Sequence, residues 1–128
     1  PEIDVIIPVP IHNNRMKKRG YNQTELMAAR LAQRWGKTLA ADSLQRVKET
    51  TLLRSLSPVE RESALRGAFA VTKKGESEIK GKAVLLVDDI YTTGATIEEC
   101  CRVLLEGGAA AVDFLTLASG GNRRPKGL

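Results

Sequence analysis

One stretch constrains the fold more than any other part of the sequence. An apolar run, Ala83 to Val87, ends in two adjacent carboxylates, Asp88 and Asp89. A run this continuous is typical of a strand buried on both faces of a parallel sheet. A Thr- and Gly-containing loop, a helical pattern to about Glu106 and a further apolar run at 112–118 follow. Because parallel strands need a crossover connection, the stretch predicts a strand–helix–strand unit.

The remaining sequence continues this alternation. Residues 3–7 predict a strand, 24–35 predict a helix that ends at Gly36, 38–47 and 68–71 predict weaker strands, and 73–75 predict a turn. The expected apolar faces are Leu26, Met27, Ala29, Leu31 and Trp35 on the first helix, and Ile97, Cys101, Leu104 and Leu105 on the later one. The order predicts a single α/β domain over 1–128, with three layers: a mostly parallel twisted sheet flanked by helices.

Two segments depart from this regular pattern. Residues 48–66 are polar and basic, and within them Ser57 and Glu60 form a capping box with Pro58 at the first helical position. A connection of this length is typically functional or mobile. Residues 119–128 are rich in Gly, Arg and Lys, and we expect a mobile tail there.

Charge and cysteine content narrow the function classes. The chain of 128 residues has 20 Lys+Arg against 15 Asp+Glu, a formal charge of +5. This balance suits an anionic partner such as a phosphorylated metabolite or nucleic acid, although many proteins carry it without a functional reason. Cys100 and Cys101 are adjacent and point in different directions on a helix, which argues against an ordinary disulfide between them. Without a CxxC pair, the sequence predicts no zinc site of that type. A reducing, cytoplasmic location fits this usage, and no apolar run approaches the roughly 20 residues of a membrane span.

The loop after the acidic pair is suited to a phosphate. Residues 92–96, TTGAT, open the next helix, whose first N–H groups and dipole attract anions. Gly94 permits close approach or positive φ, and the hydroxyls of Thr92, Thr93 and Thr96 add donors. Thr96 also forms a second predicted capping box with Glu99.

Asp88 and Asp89 cannot bind that phosphate directly, because like charges repel. They can accept hydrogen bonds from sugar hydroxyls beside it, or face a divalent cation bound there. A ligand with a phosphate at one end and a diol next to it satisfies both halves of the stretch. The sequence therefore predicts a ribose 5-phosphate site.

Other readings of the stretch are weaker. A Walker loop needs GxxxxGKS/T and a dinucleotide turn needs GxGxxG, and the sequence contains neither. Receiver domains place an acidic pair near the start and need a later phosphoacceptor Asp, whereas only Asp113 follows here. A capped helix beside ordinary surface acids is the remaining structural alternative.

The residues from Val84 to Thr96 resemble the complete PRPP-binding motif of type I phosphoribosyltransferases. PVPIHNNRMKKRGYNQTEL (8–26), LSPVER (56–61) and GAF (67–69) further resemble the ComF/GntX family, the competence-associated branch of that superfamily. The resemblance extends from Asp4 to about Ala118. Members usually carry an upstream zinc-ribbon-like segment with CxxC pairs, so we expect this sequence to lack that segment and a helix before the first strand.

The resemblance implies roles for individual residues. Asp88 and Asp89 would bind the ribose hydroxyls of PRPP, and the 5-phosphate would be held by Thr92, Thr93, Gly94, Ala95 and Thr96. The diphosphate would be held by Val9, Pro10, Ile11 and Arg19. Mg²⁺ would be the cofactor, carried by PRPP rather than by direct protein ligands.

The resemblance also identifies 48–66 with the flexible catalytic loop of the superfamily, with Arg54 and Arg61 meeting the diphosphate. The sequence departs from the family pattern at Leu53 and Ala64, where Gln and Asn are usual, and both replacements remove polar groups that could contact ligand.

Two functions remain open at this point. The first is a Mg²⁺-dependent phosphoribosyltransferase whose acceptor is a nucleobase or an amine. The second is a non-catalytic protein that binds a phosphoribosyl ligand, nucleic acid or proteins of a DNA-uptake machine. An apolar face left bare by the missing upstream helix would favour a homodimer.

Overall fold

The computed structural model describes residues 2–10, 23–47, 56–91 and 94–119. Its main sheet contains β1 (Val5–Pro8), β2 (Thr38–Leu39), β5 (Ala83–Tyr91) and β6 (Ala111–Ser119). These strands are ordered β2-β1-β5-β6, and every neighbouring pair is parallel. The predicted parallel sheet is confirmed.

Helices cover both faces of this sheet. The helix α1 (Gln23–Trp35) follows β1, and α4 (Ala95–Glu106) connects β5 to β6. Ile6 and Leu85 pack on one face against Ala28 of α1, while Ile7 and Leu86 belong to the core that contains Leu104 of α4. Neighbouring strand residues point to opposite faces, so the three-layer arrangement is confirmed.

A two-stranded antiparallel sheet adjoins the main one. It consists of β3 (Leu44–Arg46) and β4 (Phe69–Val71), with the helix α2 (Pro58–Leu65) in the connection between them. The predicted capping box begins α2: Ser57 Oγ accepts from the Glu60 N–H at 3.2 Å, and Glu60 Oε1 accepts from the Ser57 N–H at 2.9 Å. This prediction is confirmed.

Two predictions between the strands were wrong. Residues 38–47 form two strands in different sheets, because the chain turns between Ala40 and Ser43, where the Ser43 N–H donates to the Ala40 carbonyl at 3.2 Å. Residues 73–75 begin the helix α3 (Lys73–Ile79) rather than a turn. Thr72 is its N-cap and accepts from the Gly75 N–H at 2.9 Å.

The predicted apolar faces of the long helices need correction. On α1, Leu26 and Trp35 are 52% and 47% exposed, and the small residues Ala28 and Ala32 face the sheet instead. Small side chains let the helix axis lie close to the strands. On α4, Ile97 and Leu104 are buried as expected, and Cys101 is half-buried against the core. Cys100, which was not predicted, is fully buried, and Leu105 is 50% exposed. No helix in the described ranges has the length and apolar character to cross a membrane.

Candidate functional site

The strand order reverses between β1 and β5. From β1 the chain moves outward to β2, and from β5 it moves outward in the opposite direction to β6. Ligands of open α/β sheets bind beyond the carboxyl ends of strands at such a reversal. Here Pro8 is level with Val87, and the Val9 N–H donates to the Val87 carbonyl at 2.8 Å. Val9 and Pro10 therefore lie beside the start of the acidic pair.

The acidic pair lies within β5 rather than after it, because the strand continues to Tyr91. Asp88 is half-buried and level with Thr116 of β6. Its negative charge adds to burial in raising the pKa of the Cys100 thiol of α4 well above its ordinary value. Asp88 thus lies on β5, at the place where the strand order reverses.

Gly94 begins α4 in a left-handed conformation, with φ 84° and ψ −10°. Its carbonyl accepts from the Glu98 N–H at 2.8 Å, so Ala95 and Thr96 belong to the first turn. The N–H groups of a first turn have no partners within their own helix and can bind an anion. Because Gly94 holds the cap position, Thr96 is inside the helix, and the predicted Thr96–Glu99 capping box was wrong.

Arg46 is a basic residue that was not predicted from the sequence to belong to the site, and its charge also affects this region. Arg46, at the end of β3, lowers the pKa of Cys100 and so opposes the effect of Asp88. Its guanidinium carbon lies 5.2 Å from the centre of the Phe69 ring. A cation stacked on an aromatic face is held in one orientation. The only sequence signal was its position at the end of a strand before a long connection.

A groove of about 420 Å³ separates α2 from α4. Its lining residues are Pro58, Arg61, Glu62, Leu65, Arg66, Ala95, Glu98, Glu99 and Arg102. The groove brings the predicted catalytic Arg61 onto the same surface as Ala95 of the predicted phosphate turn. Ala64, one of the two departures from the family pattern, is half-buried within α2.

Glu99 joins the two sides of this groove. Its Oε2 accepts from the backbone N–H of Gly67 at 3.1 Å. Arg102 donates to both of its oxygens, at 2.6 Å and 3.0 Å. The hydrogen bond from Arg102 is the main reason why the pKa of Glu99 is lowered from its ordinary value. The sequence signal for Glu99 was interpreted as capping, so this role was missed.

The structure therefore brings Val9, Pro10 and Asp88 to one sheet edge, with Gly94, Ala95 and Thr96 opening α4 behind it, and it places Arg61 on the groove that reaches Ala95. Five predicted site residues lie outside the described residues: Ile11, Arg19, Arg54, Thr92 and Thr93. Asp89 is described only as part of the β5 backbone, and Leu53 also lies outside. Within the described ranges, no group of three His, Cys, Asp or Glu side chains is placed to hold a metal ion.

Comparisons with known proteins identify the family of the chain. The family model described as "Phosphoribosyl transferase domain" matches residues 22–127. Competence protein F of Haemophilus influenzae is 35% identical over 116 residues, which cover 90% of this chain and 50% of that protein. DNA utilization protein YhgH of Escherichia coli K12 is 33% identical over 89% of this chain and 48% of its own length. Competence protein ComFC of Bacillus subtilis is 33% identical over 88% of this chain and 43% of its own length. The chain spans about half the length of these relatives.

Solved structures share the fold. A hypoxanthine-guanine phosphoribosyltransferase from Bacillus anthracis superposes with a TM-score of 0.57 at 20% identity, covering 96% of this chain and 60% of that one. A glutamine PRPP amidotransferase from B. subtilis gives a TM-score of 0.56 at 21% identity, covering 92% and 23% respectively. At these identities the likeness establishes the architecture.

Proposed function

The chain belongs to the phosphoribosyl transferase domain family, and its relatives include the competence proteins F and ComFC; from this we propose that it binds PRPP and transfers the phosphoribosyl group to an acceptor. The observation that carries the proposal is the meeting of three features at one sheet edge. A strand reversal, a half-buried acid and a glycine-initiated helix N-terminus lie together there. They match a sugar phosphate with a diol next to it.

We assign the parts of PRPP as follows. Asp88 and Asp89 accept hydrogen bonds from the ribose hydroxyls, and Thr92, Thr93, Gly94, Ala95 and Thr96 bind the 5-phosphate. Val9, Pro10, Ile11 and Arg19 bind the diphosphate, and Arg54 and Arg61 meet it from the opposite side. The position of Arg61 on the groove that reaches Ala95 supports its part in this assignment.

The chemistry needs charge stabilisation more than proton transfer. The C1–O bond to diphosphate breaks with its electron pair leaving on the diphosphate, a nucleophilic nitrogen of the acceptor bonds to C1, and the acceptor's proton passes to solvent. The ribose carbon is oxocarbenium-like at the transition state. Basic side chains at the diphosphate and acids at the ribose hydroxyls stabilise that charge separation.

The residues of this site suit a Mg²⁺ ion that is bound mainly by the ligand rather than by the protein. Carboxylate and phosphate oxygens are the ligands that the ion prefers, and it retains several waters. Asp88 offers one such oxygen donor, and the described residues contain no cluster of three acidic or imidazole ligands. We propose that Mg²⁺ enters with PRPP, where it neutralises charge on the leaving diphosphate.

The test is calorimetric titration of the protein with PRPP, with and without Mg²⁺. We expect saturable binding that the double substitution Asp88→Asn/Asp89→Asn weakens at least about tenfold, because hydrogen bonds to charged groups contribute roughly 1.5–3 kcal/mol. Asp42→Asn is the matched control, since it removes an exposed acid on the β2–β3 turn. Equal binding by the double variant and the wild type would overturn the proposal, as would no binding by the wild type.

Turnover is tested separately by diphosphate release with nucleobases and with simple amines as acceptors. We expect release to depend on Mg²⁺ and on an acceptor, and to be lost in Arg61→Ala with PRPP binding partly retained. We propose a cytoplasmic location, because the free thiols of Cys100 and Cys101 suit a reducing compartment.

A second candidate function is suggested by the relatives' names and by charge. Two of the named relatives are a competence protein and a DNA utilization protein, and the chain carries +5. We propose as the alternative that the domain binds DNA or uptake proteins without transfer. Fluorescence anisotropy with a single-stranded oligonucleotide at two salt concentrations separates the two. Salt-sensitive binding that survives Asp88→Asn/Asp89→Asn favours the alternative.

A further inference from the structure

Glu99 of α4 contacts the backbone that directly follows α2. The proposed reaction requires these two helices to keep a fixed relative position. The Glu99 side chain is only 10% exposed although it lies on a helix surface. One of its oxygens is shared between Arg102 of the same helix and the Gly67 N–H, which is 32 positions away in sequence. Arg102 in turn donates to Glu106 at 2.9 Å. Arg102 of the same helix thus holds the Glu99 carboxylate in the orientation in which it accepts from Gly67, which follows α2.

Gly67 is the point where the chain leaves α2 for β4. It has a φ of 76°, which Gly adopts readily and other residues rarely do. The neighbouring N–H groups are satisfied within the segment, since Arg66 donates to Glu62 and Ala68 donates to Leu65. The Gly67 N–H instead reaches across to α4. The bend that follows α2 is therefore anchored to α4 by the side chain of Glu99.

The same helix begins at the phosphate turn. Glu99 follows Ala95 by about one turn, a rise of roughly 6 Å. Ala95 and Glu99 both belong to α4. The hydrogen bond from Gly67 to Glu99 therefore connects the bend after α2 to the same helix that begins at the phosphate turn. Arg61 of α2 and Ala95 of α4 line the same groove, so their separation depends on this attachment.

We propose that Glu99 is a positioning residue for phosphoribosyl transfer: it fixes α2, and with it Arg61, relative to the phosphate-binding end of α4. This inference rests on the proposed function. Glu99 acts through Arg61 and does not touch the substrate. Its loss should weaken contact with the diphosphate end of PRPP while leaving the ribose 5-phosphate end unaffected.

Comparing the binding of two ligands distinguishes an effect on the diphosphate end of the site from an effect on the ribose 5-phosphate end. Ribose 5-phosphate occupies the acids and the phosphate turn, whereas PRPP also presents a diphosphate to Arg61. For Glu99→Ala we expect the Kd of PRPP with Mg²⁺ to rise about tenfold, the usual consequence of losing one hydrogen bond to a charged group. The Kd of ribose 5-phosphate should change less than about twofold. A general loss of structure would raise both constants together.

Three further variants define what the carboxylate supplies. Glu99→Gln keeps an oxygen that can accept from Gly67, so it should restore most of the preference for PRPP. Glu99→Asp keeps the charge but is one methylene shorter, so it should behave like Glu99→Ala. Glu98→Ala is the matched control, because Glu98 is an exposed carboxylate on the same helix and lines the same groove; it should match the wild type.

The Gly67 amide provides a readout that needs no ligand. In ¹⁵N-labelled protein, its proton resonance should move upfield in Glu99→Ala and Glu99→Asp but not in Glu98→Ala. An unmoved resonance would overturn the contact. A moved resonance with an unchanged ratio of the two Kd values would overturn the positioning role. If the wild type binds neither ligand, the proposed function and this inference both fail, while the resonance still reports whether the contact exists.

Discussion

Replacing Gly75 by Ala tests the packing of α3 against the backbone of Ser43, the residue before β3. Gly75 is buried inside α3, where Ala would ordinarily be the better helix former by about 1 kcal/mol. A methyl group at this position, however, would lie 2.7 Å from Ser43 Cα and 2.9 Å from its carbonyl carbon, with the carbonyl oxygen nearer still. These are backbone atoms, and Ser43 is itself completely buried.

The clash cannot be relieved by rotating a side chain. The Ser43 carbonyl also accepts from the Thr72 N–H at 2.9 Å, so moving it disturbs the cap of α3. Inserting one methyl group into a packed core costs typically 1–3 kcal/mol. Because backbone atoms block the added methyl group, we expect the upper half of this range, about 2–3 kcal/mol. After subtracting the gain of about 1 kcal/mol in helix propensity, we expect Gly75→Ala to lower the free energy of unfolding by about 1–2 kcal/mol and the Tm by roughly 3–8 °C.

Urea unfolding followed by far-UV circular dichroism measures this change. Lys74→Ala is the control, since Lys74 is an exposed neighbour on the same helix and its replacement should shift the free energy of unfolding by no more than about 0.5 kcal/mol. If Gly75→Ala proved as stable as the wild type, α3 would not lie against the Ser43 backbone, and the reasoning would be wrong.

Three further predictions concern α4. Leu104→Ala should cost about 2–5 kcal/mol because Leu104 is fully buried, while Leu105→Ala, at a 50% exposed position, should cost much less; urea unfolding measures both. Cys100 and Cys101 should react slowly with a thiol reagent at pH 8 in the folded protein and rapidly after unfolding, since burial raises the pKa of Cys101 to about 11 and that of Cys100 well above its ordinary value. Because the pKa of Glu99 is lowered on folding, its contribution to stability is complete above its unfolded pKa of about 4.5 and is lost as the pH falls through the folded value. Acid titrations of stability should therefore be flatter for Glu99→Gln than for the wild type.

The sequence predicted the sheet and its helices because those depend on local pattern. The apolar run before Asp88 required burial on both faces, and the order of elements then left few topologies. The capping box at Ser57 was recognisable for the same reason, since both of its hydrogen bonds are made within four residues.

What the sequence did not predict depends on contacts between distant elements. Lys73, Lys74 and Gly75 suggested a turn, because the contact that requires a small residue at Gly75 is made with the distant backbone of Ser43, just before β3. Glu99 matched a capping pattern with Thr96, but Gly94 holds the cap and frees the carboxylate for Gly67. The position of Arg46 at the end of a strand could not reveal its role, because Phe69 and Cys100, with which it interacts, come from later elements.

The strand reversal has a consequence for how the site comes into existence during synthesis. Val9 and Pro10 belong to the first strand connection, whereas Asp88 and Gly94 come from the last third of the chain, and they meet only through pairing of β1 with β5. A nascent chain that has emerged only as far as α3 contains the first half of the site and none of the second. Non-local pairing of this kind is slow to form. A ligand that bridges both halves stabilises only the state in which β1 and β5 are paired, so its binding also reports that this pairing has formed.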